Sequence, residues 1–144
     1  MTNAIILHGT CDRDEYYSDA FPSLSNSHWL PWLQKQLLVK DIFAVTPEIP
    51  NAYEPDYPLW KKEFERFDIT PDTILVGHSC GGGFLIRWLS ENTVQVGKVI
   101  LVAPWIDLQH KKSKEFFNFN MDSSLFSRTQ GVHLFSSNND DTDV

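Results

Sequence analysis

The chain has 144 residues, 42% of them hydrophobic and 13% aromatic, and a net charge of −7. That size suits a single domain over residues 1–144, and that apolar content excludes a disordered chain. The acidic balance disfavours nucleic acid and anionic membrane as partners, and no apolar run reaches the roughly 20 residues of a membrane-spanning helix.

Ala4 to Leu7 is a short apolar run, read as a first strand, and His8-Gly9 follows it. Thr10 to Ser27 is polar and turn-rich and reads as a loop. Trp29, Trp32, Leu33, Gln36 and Leu37 recur at helical spacing, with Pro31 tolerated in the first turn. Ile42 to Val45 reads as a second strand, stopped by Pro47 and Pro50. A Pro- and aromatic-rich loop, Asn51 to Pro58, leads to a helix over Leu59 to Phe67. Ile74 to Val76 is the third strand, Gly82 to Asn92 a helix, and Val99 to Val102 the fourth strand. Lys111 to Ser127 reads as helix plus loop, Val132 to Phe135 as the fifth strand, and residues from Ser136 onward as loop. Strands that alternate with helices in this way predict a parallel sheet covered on both faces, a three-layer α/β/α sandwich. Ligands bind such sheets at the carboxyl ends of the strands.

At one of those ends stands Gly77-His-Ser-Cys-Gly81. The bare Gly-x-Ser-x-Gly pattern arises by chance in about one chain in twenty of this size. A strand before it and a helix after it make it far more specific, because that context turns the motif into a nucleophile elbow. The tight turn lifts the Ser79 hydroxyl above the sheet. Cys80 then offers a backbone N–H at a helix start, suited to holding an oxyanion. The alternative, a phosphate cradle, lacks the Gly-x-x-x-x-Gly-Lys-[Ser/Thr] pattern.

A serine hydroxyl needs a base, an acid to orient that base, and a second oxyanion donor. The Thr10 backbone N–H, after the first strand, is the expected second donor, with His8 shaping the loop. Asp141, after the fifth strand, is the expected acid, with Asp107 after the fourth strand as alternative. No histidine follows Asp141. His28 beside two tryptophans, His78 next to the nucleophile, His110 in a basic stretch and His133 within the fifth strand all read as structural. His78 in particular is expected to point away from the catalytic face.

These segments resemble the small single-domain α/β-hydrolases known as retinoblastoma-binding-protein-9-like serine hydrolases. The likeness lies in Ile6-Leu-His-Gly-Thr10, Ser27-His-Trp-Leu-Pro-Trp-Leu33, Leu75-Val-Gly-His-Ser-Cys-Gly81, Val99-Ile-Leu-Val-Ala-Pro104 and Phe135-Ser-Ser-Asn-Asn-Asp-Asp-Thr-Asp-Val144. It implies an α/β-hydrolase fold with Ser79 as nucleophile and Asp141 as acid. It also implies a catalytic histidine in a Gly-His segment roughly 25 residues past the acid, after one more helix and strand. The expectation is therefore a C-terminally truncated domain without its last strand and helix. Its fifth strand becomes an edge that uncovers apolar surface, and its hydrolysis is impaired. No partner follows from the family's name, since no Leu-x-Cys-x-Glu motif occurs. The expected activity is hydrolysis of small esters or amides through a Ser79 acyl-enzyme, without cofactor or metal. A non-catalytic binding module on the same scaffold is the alternative. Two cysteines, Cys11 and Cys80, form no disulfide framework, and the first residues carry no basic leader, so a cytoplasmic location is expected.

Overall fold

The computed structural model describes residues 2–107, 109 and 115–140. In chain order the elements are β1 (Asn3–Leu7), α1 (Arg13–Tyr16), a 3-10 turn (Leu24–Asn26), α2 (Leu30–Leu38), β2 (Phe43–Val45), α3 (Tyr57–Phe64), β3 (Ile74–His78), α4 (Cys80–Glu91), β4 (Val99–Val102), a 3-10 segment (Ser123–Arg128) and β5 (Val132–Phe135). The strands form one sheet in the order β2-β1-β3-β4-β5. Every neighbouring pair is parallel. No described helix is long and apolar enough to cross a membrane.

Strand alternation sorts the core into two layers. Ala4, Ile6 and Val76 face α2 and pack with Leu30, Leu33 and Leu37. Ile5, Leu7 and Leu75 face the opposite way, toward Trp60 and Phe64 of α3 and Phe84, Leu85 and Trp88 of α4. The second layer is larger and aromatic: Phe64 meets Phe84 and Trp88 edge-on, at centroid distances of 5.3 and 5.0 Å. Phe64 and Phe84 are fully buried, and each such side chain stabilises the fold by about 1.5–3 kcal/mol. The three-layer α/β expectation therefore holds.

Boundaries differ from the sequence reading where local chemistry overrides the pattern. Helix α3 starts at Tyr57 because the Asp56 carboxylate accepts the Leu59 N–H at 3.0 Å and Pro58 sits in the first turn. The stretch 10–27 is not all loop, since it contains α1 and the 3-10 turn. Each is too short to show helical periodicity. Helix α4 begins at Cys80, so three glycines lie inside it. Tertiary packing outweighs their poor propensity. A Cβ on Gly81 would stand 2.5 Å from the His8 carbonyl oxygen and 2.7 Å from that of Leu7. One on Gly77 would stand 2.6 Å from the Gly81 oxygen and the Gly82 Cα. Bare backbone at both positions lets α4 sit directly on β1 and β3. At the far side of the sheet, β5 is an edge with Leu134 and Phe135 63% and 58% exposed.

His8 closes the carboxyl end of β1. Its Nδ1 donates to the Gly9 carbonyl at 2.7 Å, and its Nε2 accepts the Ile49 N–H at 2.8 Å. An Nε2 that accepts carries no proton, so the ring is neutral and its tautomer is fixed. Its edge packs on Trp60 at 5.6 Å. Burial pushes the imidazole below its ordinary value of 6.5, against the Gly9 carbonyl and the Glu48 carboxylate, which pull it up.

Two outcomes follow from these contacts. Gly81→Ala is expected to cost about 3 kcal/mol or more, because the methyl meets fixed carbonyls rather than a side chain; urea unfolding measures it, and a loss below 1 kcal/mol would show that α4 can shift. The second concerns pH. The unfolded chain takes up a proton on His8 near pH 6.5 while the folded chain resists it. Stability is therefore full above that pH and falls as the pH drops through it. Denaturation midpoints at about pH 7.5 and 5.5 are expected to differ more for the wild type than for His8→Gln.

Candidate active site

Ser79 joins β3 to α4 with φ 53° and ψ −119°, a region that non-glycine residues avoid. Four backbone bonds hold it there. Its N–H donates to the Val102 carbonyl at 3.0 Å, and its own carbonyl accepts from Gly82, Gly83 and Trp105 at 2.9, 3.2 and 2.9 Å. Strained backbone persists only where its surroundings over-determine it, and here both β4 and α4 do so. Ala103, at φ 44°, continues the tight packing and donates to the Phe135 carbonyl at 2.7 Å.

The serine opens into a cavity of about 200 Å³ lined by His8, Gly9, Thr10, His28, Asp140 and Ala103, among others. The loop after β1 closes tightly on it: a Cβ on Gly9 would stand 2.9 Å from the Ser79 Cβ. Thr10, the next residue, faces the same cavity. Cys80 opens α4, so its N–H has no partner within the helix. The structure thus gathers Ser79, Thr10 and Cys80 at the carboxyl edge of adjacent strands β1 and β3. The Cys80 side chain itself is fully buried, and burial pushes its thiol well up. Cys11 and Cys80 are both free thiols.

Asp141 lies outside the described residues, as does His110. Asp140, its neighbour, lines the Ser79 cavity, and its carboxylate accepts the Ser137 N–H. Asp107 is buried and does not line that cavity. His133 sits in β5 in register with Ile100, two positions back from the pair Phe135 and Val102 at the carboxyl edge.

One histidine, His78, departs from its sequence reading, and His28 stands beside it. His28 precedes α2 in a left-handed conformation, φ 57°, and reaches the cavity. His78 does not point away: it lines the same cavity, edge-on to His28 at 5.3 Å and to Trp29 at 5.4 Å. His78 is only partly buried there. Burial pushes its imidazole down, and the two nearby histidines add to this, while Asp140 opposes it. The Ser-His-Trp run was the visible clue, but nothing in it discloses a positive φ. Among the described residues no cluster of three or more His, Cys, Asp or Glu could hold a metal.

Comparison with known proteins bears on this arrangement. Over 95 residues the chain is 32% identical to "Putative hydrolase YdeN" of Bacillus subtilis (strain 168), a match covering 63% of this chain and half the length of that relative. The crystal structure of the ydeN gene product superposes with a TM-score of 0.81 at 24% identity, over 99% of this chain and 75% of that one. That likeness supports the fold. A family model described as "Serine hydrolase" matches residues 20–143. By that match the chain belongs to the serine hydrolase family.

Proposed function

We propose that Ser79 is the nucleophile of a hydrolase acting on small esters or amides, within the retinoblastoma-binding-protein-9-like group. The observation that carries this is the strained, fourfold-pinned Ser79 backbone opening on a cavity beside Thr10 and a helix N-terminus. Ser79 Oγ attacks the carbonyl as a base takes its proton. The Thr10 and Cys80 N–H groups hold the oxyanion; one such donor is worth about 2.7–4 kcal/mol of barrier. The carbon–oxygen or carbon–nitrogen bond then breaks, the base returns the proton to the leaving group, and water hydrolyses the acyl-enzyme.

Asp141 is the acid we assign, with Asp140 adding negative field from the cavity wall. No described histidine is assigned as base. His8 has both ring nitrogens committed, His28 and His78 face one another, and His133 stands back from the edge. Following the family resemblance, we assign the base to a Gly-His segment outside these 144 residues. Residues 1–144 alone are then expected to retain only the roughly 10³–10⁴-fold acceleration over water that an oxyanion hole and binding provide.

Two measurements test the reading on the protein with its complete sequence. A fluorophosphonate is expected to give one adduct, mapped by mass spectrometry to Ser79 and lost in Ser79→Ala; labelling that survives the substitution would sink the assignment. Asp141→Asn is expected to lower ester turnover by about 10⁴, through the wrong histidine tautomer, while Asp107→Asn leaves it within about threefold. The reverse pattern would move the acid to the loop after β4.

A further inference from the structure

A second cleft, of about 300 Å³, adjoins the Ser79 cavity and is lined by Cys11, Glu15, Tyr16, Pro22, Leu24 and Glu48. Leu24 lines both spaces, and the consecutive residues Thr10 and Cys11 line one each. We propose that this cleft is the acyl pocket, and that it takes a compact, uncharged acyl chain. The proposal rests on the serine hydrolase reading above and adds a substrate class to it.

The direction follows from topology. Sheet order is β2-β1-β3-β4-β5, with Ser79 after β3 and the assigned acid after β5. The base oriented by that acid must protonate the leaving group, so the leaving group departs on the β5 side. With the carbonyl oxygen held by Thr10 and Cys80, the acyl substituent points the other way, toward the loops that follow β1 and β2. Those loops carry Cys11, Leu24 and Glu48.

The walls are built in advance. The Glu48 carboxylate accepts the Leu24 and Ser25 N–H groups at 3.1 and 2.8 Å, fixing the partition. The Tyr16 hydroxyl accepts the Asn51 N–H at 3.0 Å, and its ring packs on Tyr53 at 4.9 Å. The volume lies at the low end of the about 300–1,000 Å³ typical of ligand pockets, so only a short chain fits. Charge sets the rest. Glu15 and Glu48 line the cleft, and among the described residues no lysine or arginine does. Arg13 lies over the rings of Tyr17 and Tyr53. Burial pushes the Cys11 thiol up, and the carboxylates of Glu15, Asp12 and Glu48 push it further, so an anion is disfavoured here. An acyl chain ending in carboxylate meets the same field.

The test uses p-nitrophenyl esters, which share one leaving group, on the protein with its complete sequence. After correction for hydroxide-catalysed rates, kcat/KM for butyrate is expected to exceed that for the monosuccinate by about tenfold or more at low salt. Glu15→Gln is expected to narrow that gap. Cys11→Trp fills the cleft: it is expected to lower butyrate turnover by about tenfold, with acetate turnover within about threefold and Ser79 still labelled by a fluorophosphonate. If that variant does not fold, alkylating Cys11 of the folded wild type with N-benzylmaleimide makes the same obstruction. Equal kcat/KM for butyrate and monosuccinate, or acetate and butyrate falling together, overturns the acyl pocket while Ser79 labelling leaves the hydrolase reading standing. Failure of a fluorophosphonate to label wild-type Ser79 overturns both.

Discussion

Everything at the carboxyl edge of this sheet depends on one residue held in a conformation it would not choose. Ser79 is kept at positive φ by four backbone hydrogen bonds, to β4, to α4 and to Trp105. Its strain, on the order of 1–3 kcal/mol for a sparsely populated backbone region, is offset by those bonds. The glycines around it serve the same end. Gly77 and Gly81 bring α4 against β1 and β3, and Gly9 brings the β1 loop against the serine itself. Sterics thus decide where the hydroxyl points before any electrostatic effect enters.

The surroundings of that hydroxyl divide into two electrical halves. In the Ser79 cavity stand the imidazoles of His28 and His78, with Asp140 in the same lining. Toward β1 and β2 stand Glu15 and Glu48 with an apolar wall of Leu24 and Pro22. His8 lines the Ser79 cavity and stays neutral because both ring nitrogens are committed to backbone. A protonated His8 would lose the Ile49 bond and release the loop that carries Glu48. The neutrality of one buried ring therefore ties the shape of the site to the integrity of the fold.

Much of this was legible in the sequence, for identifiable reasons. Val99–Val102 and Val132–Phe135 are short, β-branched or aromatic-rich runs, and their limits as strands were read to the residue. The elbow was legible because Gly-x-Ser-x-Gly between a strand and a helix demands a tight turn. The start of α4 was not, since a run of three glycines argues against helix and only contact with β1 and Pro104 explains it. That His28 reaches the Ser79 cavity was not legible, because its left-handed backbone leaves no trace in composition. His78 was misread because alternation along β3 gives the face of the sheet but not which residues meet the side chain there. The position of Asp141, outside the described residues, remains an inference from sequence.

The strand order has a consequence for how the chain is made. β1 is the first element in sequence, yet it lies inside the sheet, between β2 and β3. Its Asn3 side chain accepts a hydrogen bond from Thr73, 70 residues away. Ala4 to Leu7 are wholly buried in the finished fold, so on the ribosome an apolar tetrapeptide emerges long before its second neighbour exists. At roughly 5–20 residues per second, several seconds pass before β3 appears to cover it. Parallel pairing at such separation also pays its loop-closure entropy before any contact repays it. The segment that later carries the Gly9–Thr10 turn beside Ser79 is thus, during synthesis, a stretch that needs protection from other chains.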